Sequence, residues 1–403
     1  MLADDDLSWL VSVDDHLFEA PDAWTSAAPA SIRDRVPHVV QEDGVDTWVY
    51  EDVRTSITGA LVQAGRPTEA IDPGPVNYAD MLPAYYDPLA RVDAMNQDGV
   101  LASLCFPFFP RFCGQTFYEA DDKELAAWCV RRYNDWVIDE WAGAAPGRFI
   151  PLIILPLWDP AMAAGEIERC AAKGAKAISF SENPSKLGLP SMHDRTGYWD
   201  PIFSTAADAG LPLAIHFGSS SSIPTTSPDA PIMVSGALSP INLAYCLTDW
   251  IFSGYFERYE NLKILLSEGG IGWIPYMIER CENMIRSHEW ASRVDFHYDL
   301  GSGKGEASDR GGTVLASTPT DLFRDHVYGC FIDDVYGARH LEEVGFDNVM
   351  IETDFPHGDS SFPSSIAGAH KQLASHPVDV QRKVLRGNAE RIFGLDLPDP
   401  ATF

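Results

Sequence analysis

The sequence predicts an α/β protein of the (β/α)8 TIM-barrel class, and three features point there. Eight short apolar runs recur along 403 residues, and helix-like segments lie between most of them, the pattern of a parallel α/β fold. No GxGxxG or GxxxxGK motif follows any run, which removes the dinucleotide-binding and P-loop alternatives. Several of the runs end in a carboxylate or an imidazole, and the C-terminal ends of barrel strands are where barrel enzymes place their chemistry.

In chain order the expected strands are VSVDDH (11–16), GVLASLCF (99–106), FIPLIILP (149–156), AKAISF (175–180), LPLAIHF (211–217), LKILLSE (262–268), VYGCFI (327–332) and NVMIETD (348–354). Among the helix-like stretches between them, DPAMAAGEIERCAAKG carries clear end signals: Asp159 as N-cap, Pro160 at the first helical position and Gly174 as the stop. Gly210 plays the same stopping role one helix later. Two stretches break the rhythm. Residues 36–95 read as an insertion after the first strand, a hairpin plus a Gly/Pro-rich run. Residues 291–325, with GSGKGEASDRGG, read as another between the sixth strand and the seventh. Both are expected to cover the barrel mouth of a single domain, 1–403.

Composition narrows the function. A hydrophobic fraction of 45% over this length supports a large core, and a formal charge of −30 opposes binding to nucleic acid or to anionic membranes. The apolar run FIPLIILPLW is too short to span a bilayer, and MLADDDLSW has neither the basic nor the apolar region of a signal peptide. Seven scattered cysteines without a CxxC pair read as core residues of a cytoplasmic protein, not as a disulfide frame or a zinc knuckle.

Side chains of a barrel strand alternate between the interior and the helix layer. On strict alternation Val11 and Val13 face the helices, while Ser12, Asp14 and His16 face inward, and Asp15 is left to cap a helix. The same phase turns Leu213 and Ile215 out and Ala214 and His216 in. It points Glu268, Glu352 and Asp354 inward as well. Taken singly, a strand-end His is more often a hydrogen-bonded core residue, and an Asp is more often a cap. Four strand ends that bring Asp14, His16, His216, Glu268 and Asp354 to one face are hard to explain as caps, and they suit a divalent metal such as zinc with a position left for water or substrate.

The stretches DDHLFEAPDAW (14–24), LAIHFG (213–218), LKILLSEGGIGWIPYMIER (262–280), DNVMIETDFPHGDSSFP (347–363) and GNAERIFGL (387–395) carry a further signal. Through them the chain resembles the amidohydrolase superfamily, in the branch that includes aminocarboxymuconate-semialdehyde decarboxylase and the resorcylate-type decarboxylases. The resemblance implies one metal ion held by Asp14, His16, His216 and Asp354, with Zn²⁺ first and Mn²⁺ second. It also implies a homodimer or larger homo-oligomer. Two positions depart from the branch. An aspartate, Asp14, opens the first-strand motif in place of the commoner His or Glu, and Glu268 in SEGG stands where the decarboxylases carry a His.

The leading expectation is a metal-dependent hydrolase of a small cyclic or aromatic carbonyl or amide substrate. Asp354 would take the proton of a metal-bound water, and Glu268 would protonate the leaving group or orient the substrate. His357 would contact substrate or brace its loop. The alternative is a non-oxidative decarboxylase of an aromatic or unsaturated acid, with Asp354 delivering a proton to carbon. The third reading is a metal-free binding or scaffold barrel. Trp48, Phe106, Phe108, Phe109, Trp273 and Trp290 are candidate pocket walls, though aromatic residues are more often core. Glu19 is expected in a salt bridge or a cap.

Overall fold

A computed structural model describes residues 6–292, 294–308 and 314–400. Its centre is a ring of parallel strands in chain order: β1 (Leu10–His16), β6 (Val100–Phe106), β7 (Phe149–Ile150) continued by β8 (Leu152–Ile153), β9 (Ala177–Phe180), β10 (Leu213–His216), β11 (Ile264–Ser267), β14 (Val327–Phe331) and β15 (Val349–Ile351). Pro151 divides the third barrel strand because it has no N–H to give the ladder. The ring closes where Asp354 N donates to Asp14 O at 2.9 Å and His16 N donates to Phe355 O at 2.7 Å. The result is the (β/α)8 barrel.

Alternating positions of these strands fill the interior. Val11, Val13, Ala102, Leu104, Ile150, Leu152, Ala177, Ala214, Leu265, Tyr328, Cys330 and Met350 form one buried cluster, and Ala389 and Phe393 of the C-terminal helix Asn388–Phe393 join it. The opposite phase, including Leu213, Ile215, Ile264, Leu266, Val349 and Ile351, belongs to the cluster beneath the helices. This corrects the expected phase of the first strand. Val11 and Val13 face in, and Ser12 lies on the outer side, where it meets Thr353.

The helix-end reading holds at Asp159, which accepts from Ala161 N and Met162 N at 3.1 and 3.0 Å, and at Gly174 and Gly210, whose φ of +104° and +66° only glycine adopts freely. All seven cysteines are buried and unbridged. Among the described residues no helix is long and apolar enough to cross a membrane.

The segment after β1 forms an antiparallel meander, β2 (His38–Glu42), β3 (Val45–Tyr50), β4 (Val53–Thr58) and β5 (Pro75–Val76). It touches loops that leave the strands' C-terminal ends. Trp48 stacks on Phe109 at 4.9 Å, and Gln63 N and Ala64 N donate to Pro356 O. The described part of 291–325 goes elsewhere, against expectation. Its hairpin, β12 (Asp295–Asp299) with β13 (Lys304–Ser308), lies with Trp290 and Phe296 beside Phe252 and Ile285. Those two residues stand at the C-terminal ends of the helices Pro240–Ser253 and Ile274–Ser287. A 14-residue helix runs about 21 Å, so that end is remote from the mouth where Ile274–Ser287 begins.

A buried acid joins the helix Pro88–Asp98 to the helix Ser365–Leu373. Asp98 Oδ1 accepts from Ser365 N at 2.7 Å, and its other oxygen accepts from Ser365 Oγ, capping a helix whose own Ser364 makes no side-chain cap. Burial pushes Asp98 up to about 6. The folded state therefore holds this proton more tightly than the unfolded chain, and stability falls as pH rises from about 4 to about 6. Asp98→Asn is expected to flatten that slope and to raise stability at pH 8 by about 1 kcal/mol, read by urea unfolding at pH 4.5 and 8. An unchanged slope would refute it.

Candidate metal centre at the mouth of the barrel

Four strand ends converge. His16 Nε2 lies 3.6 Å from Asp14 Oδ1 and 3.1 Å from Asp354 Oδ1. His216 Nε2 lies 3.5 Å from Asp14 Oδ2 and 2.9 Å from Glu268 Oε2. His357 Nδ1 lies 3.0 Å from Asp354 Oδ1. Asp14 and Asp354 are fully buried, and His16 and His216 nearly so. Both oxygens of Asp14, both of Asp354 and the Nε2 atoms of the two histidines make no hydrogen bond. Buried polar atoms are nearly always satisfied, so these orphans, gathered in two overlapping groups that share His16, mark a candidate place for a cation.

Local backbone features aim these groups. The β1–β6 register slips between Ser12 and Asp15, so that Ser12 pairs with Ser103 and Asp15 with Cys105. Three steps on β1 match two on β6, as in a bulge, which re-aims a side chain. Val13 and Asp14 thereby both face inward, and His16, beside Phe106, follows. Glu268 reaches the mouth by another device. Ser267, one residue before it, lies opposite His216 and takes the inward position, and Glu268 then adopts a φ of +57°, rare for a residue with a side chain. Glu352, buried behind it, accepts from Glu268 N with both oxygens at 3.2 and 3.1 Å. Asp354 also has a positive φ, +49°.

The histidine rings are fixed by their surroundings. His216 Nδ1 is 2.5 Å from Phe217 O, so it carries the proton and leaves Nε2 as a lone pair. Phe112 stacks on the same ring at 4.2 Å, and Phe106 meets it edge-on at 5.0 Å. Arg91, itself buried, donates to His16 O at 2.5 Å.

Charge at the site is unbalanced. Burial raises Asp14 well above the usual carboxylate range, and the charges of Glu352, Asp354 and Glu268 push it further. Burial, then Asp354, does the same to Glu268, while Glu352 is raised by its burial and by Glu268. His16 is held well below its ordinary value by burial and the neighbouring imidazoles, and burial lowers His216 to about 4. Burial would lower His357 too, but the Asp354 carboxylate overrides it and holds that ring up to about 9. Raised carboxylates beside the lowered imidazoles of His16 and His216 suit a deeply buried cation site. The residues present fit a divalent metal.

Some residues do other work than expected. Asp15 faces away from the site as foreseen but caps no helix. It accepts from Thr353 Oγ1 at 2.5 Å, from Phe355 N at 3.0 Å and from Ser103 Oγ, bracketing β1 to its neighbours on both sides. Glu19 neither caps nor pairs with a cation. It accepts from Phe108 N and Phe109 N at 3.2 and 2.9 Å, and burial pushes it up to about 7. Trp290 is half exposed at the remote hairpin, and Trp48 is core of the meander, so neither lines the site. Of the aromatic candidates Phe106 touches the imidazoles. Phe112, which the sequence reading missed, touches them too. Also missed was Glu182, which accepts from Gly218 N, Ser220 N, Ser220 Oγ and Asn242 Nδ2 and so folds the loop after β10.

A parallel eight-stranded barrel with candidate metal ligands at the ends of its first, fifth and eighth strands defines the class. The chain belongs to the amidohydrolase family, whose profile, described as Amidohydrolase, matches residues 22–395. It is 26% identical over 298 residues to gamma-resorcylate decarboxylase of Polaromonas sp. (strain JS666), covering 68% of this chain and 79% of that one. A crystal structure of an amidohydrolase from Mycobacterium avium subsp. paratuberculosis superposes with a TM-score of 0.69 at 20% identity, covering 96% of this chain and 98% of that one. 5-Carboxyvanillate decarboxylase of Novosphingobium aromaticivorans, solved with manganese and 4-hydroxy-3-methoxy-5-nitrobenzoic acid, superposes at 0.61 with 18% identity, covering 98% and 100%.

Proposed function

We propose that the chain is a metal-dependent, non-oxidative decarboxylase of a small aromatic carboxylic acid. The observation that carries the reading is the set of six orphaned atoms on Asp14, His16, His216 and Asp354, in a chain whose relatives include a resorcylate decarboxylase. This reverses the order expected from sequence, where hydrolysis came first. Mn²⁺ likewise moves ahead of Zn²⁺, because the donor set is rich in carboxylate oxygen and a structural neighbour holds manganese.

Asp14, His16, His216 and Asp354 would hold the ion. When bound, it supplies a positive charge that fixes the substrate's carboxylate end and draws electron density from the ring. Phe106 and Phe112 offer flat apolar faces beside the two imidazoles, suited to an aromatic ring. Asp354 is placed to pass a proton from His357 to the ring carbon. As the ring carbon–carboxylate bond breaks, CO₂ leaves, and the electron pair left on carbon takes that proton. His357, 3.0 Å from Asp354, is placed to return a proton to it.

Hydrolysis remains a second reading because of Glu268. A carboxyl group at that position can protonate a leaving group, and its burial favours the protonated form. The test is a panel of hydroxybenzoates and small cyclic amides offered to Mn²⁺-loaded protein in ¹⁸O-labelled water. The proposal expects CO₂ release with no label in the organic product. Label incorporation would overturn it in favour of hydrolysis, and absence of both metal and turnover would favour a scaffold.

A further inference from the structure

We infer that Glu268 is a fifth protein ligand of the bound ion, making a centre of three carboxylates and two imidazoles that selects Mn²⁺ over Zn²⁺. The inference rests on the metal-centre reading above and deepens it.

Glu268 Oε2 and His216 Nε2 face each other at 2.9 Å, yet that nitrogen makes no hydrogen bond. The ring's proton is on Nδ1, toward Phe217 O. With no ring N–H aimed at the carboxylate, a cation that binds both atoms accounts for the contact. Two donors each about 2.1 Å from one ion, at right angles to each other, lie about 3 Å apart. The contacts of His216 with Glu268 and of His16 with Asp354, 2.9 and 3.1 Å, fit that edge.

Glu268 is also within ligand reach of His16 and Asp354. It offers an atom that lies within 4.8 Å of atoms from His16, Asp354 and His357, while Asp14, His16 and His216 form an overlapping group of the same span. The backbone is built to hold it there. The left-handed φ costs about 1–3 kcal/mol for a residue of this kind, and the bond from its N–H to Glu352 keeps the turn in place. A neutral side chain here would bring no charge. Glu268 adds a hard anionic donor, and with a water it completes six positions. That suits octahedral Mn²⁺ and exceeds the four that Zn²⁺ prefers.

The experiment uses the full chain stripped by chelator, with Mn²⁺ or Zn²⁺ as the only ligand. Metal per chain is counted by mass spectrometry, free Mn²⁺ is followed by its EPR signal, and Zn²⁺ affinity is measured by competition with a chromophoric chelator. The wild type is expected to bind one Mn²⁺. Supporting groups around metal ligands are typically worth about 10–100-fold in affinity, so Glu268→Gln is expected to weaken Mn²⁺ binding at least about tenfold. Zn²⁺, kept by Asp14, His16, His216 and Asp354, should change less than about threefold. A metal-free melting temperature at or above that of the wild type would show that Glu268→Gln folds. If it does not fold, Glu268→Asp, which keeps the charge but shortens the reach, is expected to give the same selective loss. Wild-type protein that binds one ion while the variant's Mn²⁺ affinity stays within about threefold would overturn this inference and leave the metal-centre reading standing. Wild-type protein that binds no ion would overturn both.

Discussion

Asp354→Asn is expected to abolish decarboxylation, lowering kcat by about 10⁴-fold or more, with the protein still folded. The carboxylate is fully buried, neither oxygen makes a hydrogen bond, and it lies 3.1 Å from His16 Nε2 and 3.0 Å from His357 Nδ1. A positioned proton carrier alone contributes about 10²–10⁴ in rate, and here the same group would also bind the ion. Asparagine keeps the shape and removes both the negative charge and the ability to pass a proton. The check is CO₂ release under saturating substrate together with metal content. Turnover within about tenfold of the wild type would move the proton-carrying role away from Asp354, whatever the metal content.

The second large effect is on stability. Asp15→Ala is expected to destabilise the metal-free protein by about 3–5 kcal/mol, because three buried donors lose their acceptor at about 1–3 kcal/mol each. Asp15 is 2% exposed and gathers Ser103 Oγ, Thr353 Oγ1 and Phe355 N, with the buried Arg91 guanidinium close enough to lower its pKa against the effect of burial. Alanine strands all three donors and removes a charge that the buried Arg91 favours. Measuring the metal-free form separates this bracket from any loss of ion binding next door. Denaturant unfolding is the readout, and a loss below about 1 kcal/mol would mean that the bracket is not what holds β1 to the Thr353–Phe355 turn.

Much of the fold was legible because strand and helix signals are local. The eight apolar runs, the Asp159–Pro160 start and the glycine stops at 174 and 210 each depend on neighbours within a few residues, and the structure has them in place. The second insertion was misplaced for the converse reason. Nothing local in residues 291–308 tells which end of the barrel a surface hairpin joins.

Which strands end in ligand-type residues is written in the local residue pattern. Asp14, His16, His216 and Asp354 could be named from period-two alternation and motif, and they do meet. How they meet was decided by tertiary structure. Simple alternation put Val11 and Val13 outside, and only the slipped β1–β6 register turns Val13 and Asp14 inward together. Strict alternation from the inward Ser267 would send Glu268 outward, and its left-handed backbone, tied to Glu352 from another strand, brings it back. Glu19, Glu182 and Glu352 hold loops through backbone N–H groups remote in sequence. A bulge, a positive φ and a long-range hydrogen bond are fixed by the pairing partner, and a strand read alone contains no record of its partner.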